Sequence, residues 1–123
     1  TSAILFFYKI SFNYCIKSLI KMFRNFSHNM IDELPRNVGG LTTVTVLNFS
    51  HNRLKTVPES IGNMLSLTNL NVSSNRLVTF PERIGDAQAL QHLDLSANRL
   101  SAVPRTLGWL RCLRTLSLFN NNL

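Results

Sequence analysis

The chain has 123 residues and a net charge of +7; it is 45% hydrophobic and 15% charged, with two cysteines, Cys15 and Cys112. That length holds one domain at most. Two cysteines cannot staple a disulfide framework, which points to a reducing compartment and a cytoplasmic, membrane-associated at most, location.

In chain order, the opening segment 1–22 stands apart. It is rich in aromatics (Phe6, Phe7, Tyr8, Phe12, Tyr14) and, with the next few residues, carries Lys9, Lys17, Lys21 and Arg24 with no acid. Three readings apply, in this order. A mis-predicted exon would produce this Phe, Tyr, Ile, Lys and Asn bias from AT-rich non-coding sequence. A helix could cover the open end of the apolar core formed by residues 23–123, since Lys9, Asn13, Lys17 and Lys21 are spaced by four. Third, that basic face could carry residues 1–24 onto an anionic membrane surface. A signal peptide or spanning helix is not expected, because lysines interrupt the apolar run.

From residue 23 to 123 everything repeats. Asn29, Asn52, Asn75, Asn98 and Asn121 lie 23 residues apart. Around them run Val44-x-x-Leu47-x-Phe49-x-x-Asn52-x-Leu54 and Leu67-x-x-Leu70-x-Val72-x-x-Asn75-x-Leu77. The next two are Leu90-x-x-Leu93-x-Leu95-x-x-Asn98-x-Leu100 and Leu113-x-x-Leu116-x-Leu118-x-x-Asn121-x-Leu123. A unit this short cannot bury its own apolar face, so stacked units share a core. About 4.5 units are present. The chain starts without methionine and stops inside a unit, so a fragment of a longer protein is expected.

Each unit predicts a short strand at x-L-x-L, with leucines inward and the intervening residues on the concave face. The asparagines form a structural ladder whose amides pair with buried backbone groups; each group left unpaired would cost roughly 1–3 kcal/mol. On the convex side Pro35, Pro58, Pro81 and Pro104 set an extended or turn geometry, followed by one or two helical or 3₁₀ turns. Gly39, Gly62, Gly85 and Gly108 are expected in a left-handed conformation at the ends of those turns. Cys112 is expected to be a small packed thiol.

These motifs are identified as the leucine-rich-repeat signature, and the L-P-x-x-I-G-x-L half-unit resembles the intracellular Ras-group repeats: the Scribble and Erbin type, Ras suppressor protein and the plant intracellular Ras-group proteins. The implied fold is α/β, a right-handed β/α horseshoe with a parallel sheet on its concave face and short helical or 3₁₀ turns on its convex face. The resemblance implies a protein-interaction module of an adaptor or scaffold, with a protein partner in a small GTPase or polarity pathway. The alternative is the ligand-sensing part of a receptor, or a regulatory region of a kinase or phosphatase.

Three concave rows are available: Val46, Asn69, His92 and Thr115; Asn48, Asn71, Asp94 and Ser117; and Ser50, Ser73, Ser96 and Phe119. Candidate protein-binding residues are Asn48, Asn69, Asn71, His92, Asp94, Thr115, Ser117 and Phe119. Phe119 and Trp109 are the large side chains that could anchor a partner, with Trp109 read as cover for the core. Arg53, Arg76 and Arg99 form a basic rim, read first as a solvated edge and second as a surface for an anionic partner. It has no aromatic interleaving and no nucleic-acid-binding motif, so nucleic acid is not an expected partner. The triplets at Asn25, Asn48 and Asn71 match the glycosylation pattern, read as a by-product of repetition. His28, His51 and His92 occupy rim or concave positions and do not converge. No phosphate loop, metal-ligand spacing or catalytic constellation occurs, so neither an enzyme nor a cofactor is expected.

Overall fold

The computed structural model describes residues 25–123, and the readings placed on 1–22 and on the membrane contact of 1–24 lie outside them. Four three-residue strands form one sheet in chain order: β1 Val46–Asn48, β2 Asn69–Asn71, β3 His92–Asp94 and β4 Thr115–Ser117. All neighbours are parallel, with Leu47, Leu70, Leu93 and Leu116 in register. An isolated bridge between Asn25 and Asn48 carries the pairing one coil further. The register equals the 23-residue sequence period because parallel strands need a crossover, and here every crossover has the same length.

On the opposite side lie four 3₁₀ helices: η1 Val38–Gly40, η2 Glu59–Asn63, η3 Glu82–Asp86 and η4 Arg105–Trp109. Pro58, Pro81 and Pro104 precede three of them in extended geometry and supply the first acceptor, as in Ile61 N–H to Pro58 O at 3.1 Å. Three- and five-residue pieces suit the 3₁₀ form, whose weaker hydrogen-bond geometry does not sustain long runs. Hydroxyls tie adjacent turns together: Ser60 Oγ donates to Arg36 O at 2.6 Å and accepts from the Gly39 N–H at 3.2 Å.

The core runs between sheet and turns as one column. Leu47, Phe49, Leu54, Ile61, Met64 and Leu67 fill one coil, and Leu70, Val72, Leu77, Phe80, Ile84 and Ala87 the next. Phe26 stacks on Phe49 with ring centroids 5.0 Å apart. Along β1, β2 and β3 and their exits, burial alternates as the pattern requires: Leu70 and Val72 are buried, whereas Asn69 and Asn71 are half-buried. In β4, on which no described coil packs, Leu116 is exposed and Leu118 half-buried, against the expectation of inward leucines.

The asparagine ladder binds coil to coil. Asn52 Nδ2 donates to Phe49 O and Ser50 O in its own coil and to Phe26 O in the preceding one, while its Oδ1 accepts from Ile31 N–H at 3.1 Å. Asn75, Asn98 and Asn121 repeat these bonds.

The glycines correct the expectation. None has positive φ; the left-handed positions are His28, His51, Ser74, Ala97 and Asn120, with φ between 53 and 58°. Glycine is needed for space. A Cβ on Gly39 would collide with Ser60 O, and one on Gly62 would collide with Arg83 O. Gly85 meets Thr106 and Trp109, while Gly108 meets nothing within 4 Å because no described coil packs on it.

Two further expectations change in the last coil. Cys112 is exposed instead of packed. Trp109 is 62% exposed, although its ring edge lies against the Gly85 position, so it covers the core only in part.

Candidate functional site

The sheet presents a shallow trough of about 370 Å³ running across all four strands. Two of the three concave rows line it. In the row of Val46, Asn69, His92 and Thr115, Val46 and Thr115 are exposed, and Asn69 and His92 half-buried. No hydrogen bond ties down the Asn69 side chain among the described residues, and His92 Nδ1 lies 2.7 Å from Thr115 Oγ1.

The second row has a structural task that the repeat pattern alone does not reveal. Asn71 Oδ1 accepts from the Ser73 N–H at 3.0 Å and from its hydroxyl at 2.7 Å. Asn48 Oδ1 accepts from the Ser50 N–H, and Asp94 Oδ1 from both groups of Ser96. Asn25 does the same for Ser27. Each is an Asx turn that bends the chain away from the strand. Ser117, facing Asp94 in register, has a shorter side chain and makes no such bond.

The third row is not on the surface. Ser50, Ser73 and Ser96 are buried under these turns, which removes them from the concave face, and only Phe119 is exposed, at 65%. Asp94-Leu95-Ser96 carries the signal that could have revealed this: an aspartate keeps the acceptor while discarding the glycosylation pattern. The triplets at Asn25, Asn48 and Asn71 therefore follow from turn geometry. Asn71→Asp is expected to leave stability within about 0.5 kcal/mol, and Asn71→Leu to lose about 1 kcal/mol, read by urea unfolding. Equal losses would remove the Asx turn as the reason.

At the rim reached from the strands' C-terminal ends, Arg53, Arg76 and Arg99 are exposed. Their backbone N–H groups make one repeated bond to the preceding coil, to Ile31 O, Leu54 O and Leu77 O at 2.8–2.9 Å, which sets the three in a row. Beside them His28 stacks on His51, centroids 4.2 Å apart. Among the described residues, no group of three His, Cys, Asp or Glu could hold a metal ion, and no helix is long and apolar enough to cross a membrane.

Strand period, asparagine ladder and parallel sheet together define a leucine-rich-repeat solenoid. The family model for a leucine-rich repeat region matches residues 15–123, and the chain belongs to that family. Among solved structures, a leucine-rich-repeat protein of Leptospira interrogans is 34% identical with a TM-score of 0.76 over 79% of this chain. The match spans 25% of that protein's length. No curated protein matches the chain. Proteins of this family are typically interaction modules and not enzymes, and their repeat domains generally bind proteins.

Proposed function

We propose that the chain is part of an intracellular adaptor whose concave trough binds a protein, in a small GTPase or polarity pathway. The observation that carries the reading is the row of Asn69, His92 and Thr115. These side chains face the trough, and none is committed to the core or to a turn, so their polar groups can meet a partner. The pathway rests on the resemblance of the proline and glycine half-unit to the Ras-group repeats. The intracellular setting rests on the same resemblance and on the low cysteine count.

A photo-crosslinking residue placed in turn at Asn69, at Thr115 and at the exposed convex residue Gln88 tests it in cells. Protein adducts from the two concave positions, absent from the convex one, are expected. With the crosslinking residue moved to His92, Asn69→Tyr with Thr115→Tyr fills the trough with side chains that strands tolerate, and it is expected to cut adduct formation there by about tenfold. Adducts from the convex position alone would overturn the reading. Recovery of a small GTPase or one of its regulators among the adducts is the expected identification; recovery of an extracellular ligand would place the repeats in a receptor instead.

A further inference from the structure

Three columns of side chains meet at the basic rim, one per coil: His28, His51, Ser74, Ala97 and Asn120; Met30, Arg53, Arg76, Arg99 and Asn122; Asp32, Lys55, Val78 and Ser101. Across the three coils from His51 to Ser101 they hold Arg53, Lys55, Arg76 and Arg99 and no acid. Asp32, in the coil before, is the one carboxylate in these columns. The remaining acids lie outside these columns: Glu33, exposed and next to Asp32 in that same earlier coil, Glu59, Glu82 and Asp86 on the 3₁₀ turns, and Asp94 in its Asx turn. The ion pair that forms among the described residues, Arg83 with Asp86 at 3.4 Å, is on the convex side.

The backbone that carries the arginines is fixed. Each is flanked by two buried residues, Asn52 and Leu54, Asn75 and Leu77, or Asn98 and Leu100, and its N–H is bonded to the coil before. The three exposed side chains therefore leave the backbone at coil spacing, and like charges so placed repel along the row. Three forks in line favour carboxylates that can each take two parallel hydrogen bonds.

Spacing selects the shape of the partner. Parallel coils lie about 4.8 Å apart, so three arginines span roughly 10 Å. On an α-helix, carboxylates at i, i+4 and i+7 share one face and span about 10.5 Å. On an extended strand, three same-face residues span roughly 13 Å, which overshoots the row. The row is narrow, with Lys55 as the one further basic residue in the adjoining column, so it fits a linear ligand better than a planar bilayer. We infer that Arg53, Arg76 and Arg99 form a docking strip for an acidic helical segment of a protein, laid along the solenoid axis. This surface is separate from the trough and does not depend on what the trough binds.

The probe is a fluorescein-labelled alanine-based helical peptide with glutamates at i, i+4 and i+7. A second peptide of the same composition has its glutamates spread around the helix. Fluorescence anisotropy at low salt is expected to show the striped peptide binding several-fold tighter, with the preference fading at high salt. Arg53→Gln/Arg76→Gln/Arg99→Gln is expected to weaken it about tenfold, from three exposed pairs. The corresponding triple lysine variant, which keeps the charge but not the fork, should recover only part of that. Circular dichroism checks that both variants fold, and Asn69→Tyr/Thr115→Tyr should leave the affinity unchanged. Equal binding of the two peptides, or indifference to the glutamine variant, would overturn the strip. So would arginine-dependent binding to phosphatidylserine vesicles with the peptide ignored.

Discussion

Asn75→Ala is expected to destabilise the solenoid by about 3 kcal/mol, among the larger losses a single polar substitution can cause. The carboxamide donates to Phe49 O at 3.0 Å, Val72 O at 2.9 Å and Ser73 O at 3.1 Å, and accepts from the Leu54 N–H at 3.0 Å. The carbonyls do not bear the loss equally with the donor. Phe49 O keeps Asn52, Val72 O keeps Asn98, and Ser73 O keeps the His51 N–H. The Leu54 N–H has no second acceptor among the described residues and is left buried and unpaired. Asn75→Asp restores that acceptor but turns a carboxylate toward three carbonyl oxygens in a water-excluded turn, so it should cost at least as much. Asn29→Ala, in a partly exposed coil, should cost less. Urea unfolding followed by circular dichroism checks the order, and an Asn75→Asp protein as stable as the parent would remove the donor role of the amide.

The second large effect is expected at Gly62. Its added methyl would collide with Arg83 O and lie 2.9 Å from Arg83 C, both backbone atoms of the next coil. No rotamer change relieves such a contact, so the coils must separate, at a cost above roughly 3 kcal/mol. Gly108→Ala is the control, because a methyl there meets nothing within 4 Å and φ is not left-handed. It should be neutral or stabilise slightly, by up to about 1 kcal/mol, through the unfolded chain. Thermal unfolding separates the explanations. Equal losses at the two glycines would mean that local backbone conformation matters and coil contact does not.

This contrast shows what sequence can and cannot reveal here. Leucine spacing fixes which residues face inward, since a strand alternates and a 23-residue period forces equivalent leucines to stack; Leu47, Leu70 and Leu93 lie where that logic puts them. The asparagines are legible as a ladder because few side chains both donate and accept. The glycines are visible as positions but not in purpose, since an absent Cβ serves a left-handed turn and a tight contact equally well. The left-handed positions are invisible, because His51, Ser74, Ala97 and Asn120 share no chemistry. Ser73 looks like surface because strand alternation alone places it on the concave face; the acceptor two residues before it, which draws it inward, is signalled in the sequence only by the switch to aspartate at Asp94. In the trough, strand alternation identifies the facing residues, but Asn48, Asn71 and Asp94 already hold turns, which leaves Asn69, His92 and Thr115 as the freer contacts.

The left-handed residues do more than turn the chain. Their N–H groups point forward, His51 to Ser73 O, Ser74 to Ser96 O and Ala97 to Phe119 O, while the ladder asparagines reach back to the preceding coil. Each interior coil is thus clasped from both sides, and none of these bonds skips a coil. Damage should therefore travel only to immediate neighbours. Amide deuterium exchange should be slowest at Leu70 and Leu93 and quicken stepwise toward both ends, as when a stack of coins is unstacked from its outer faces.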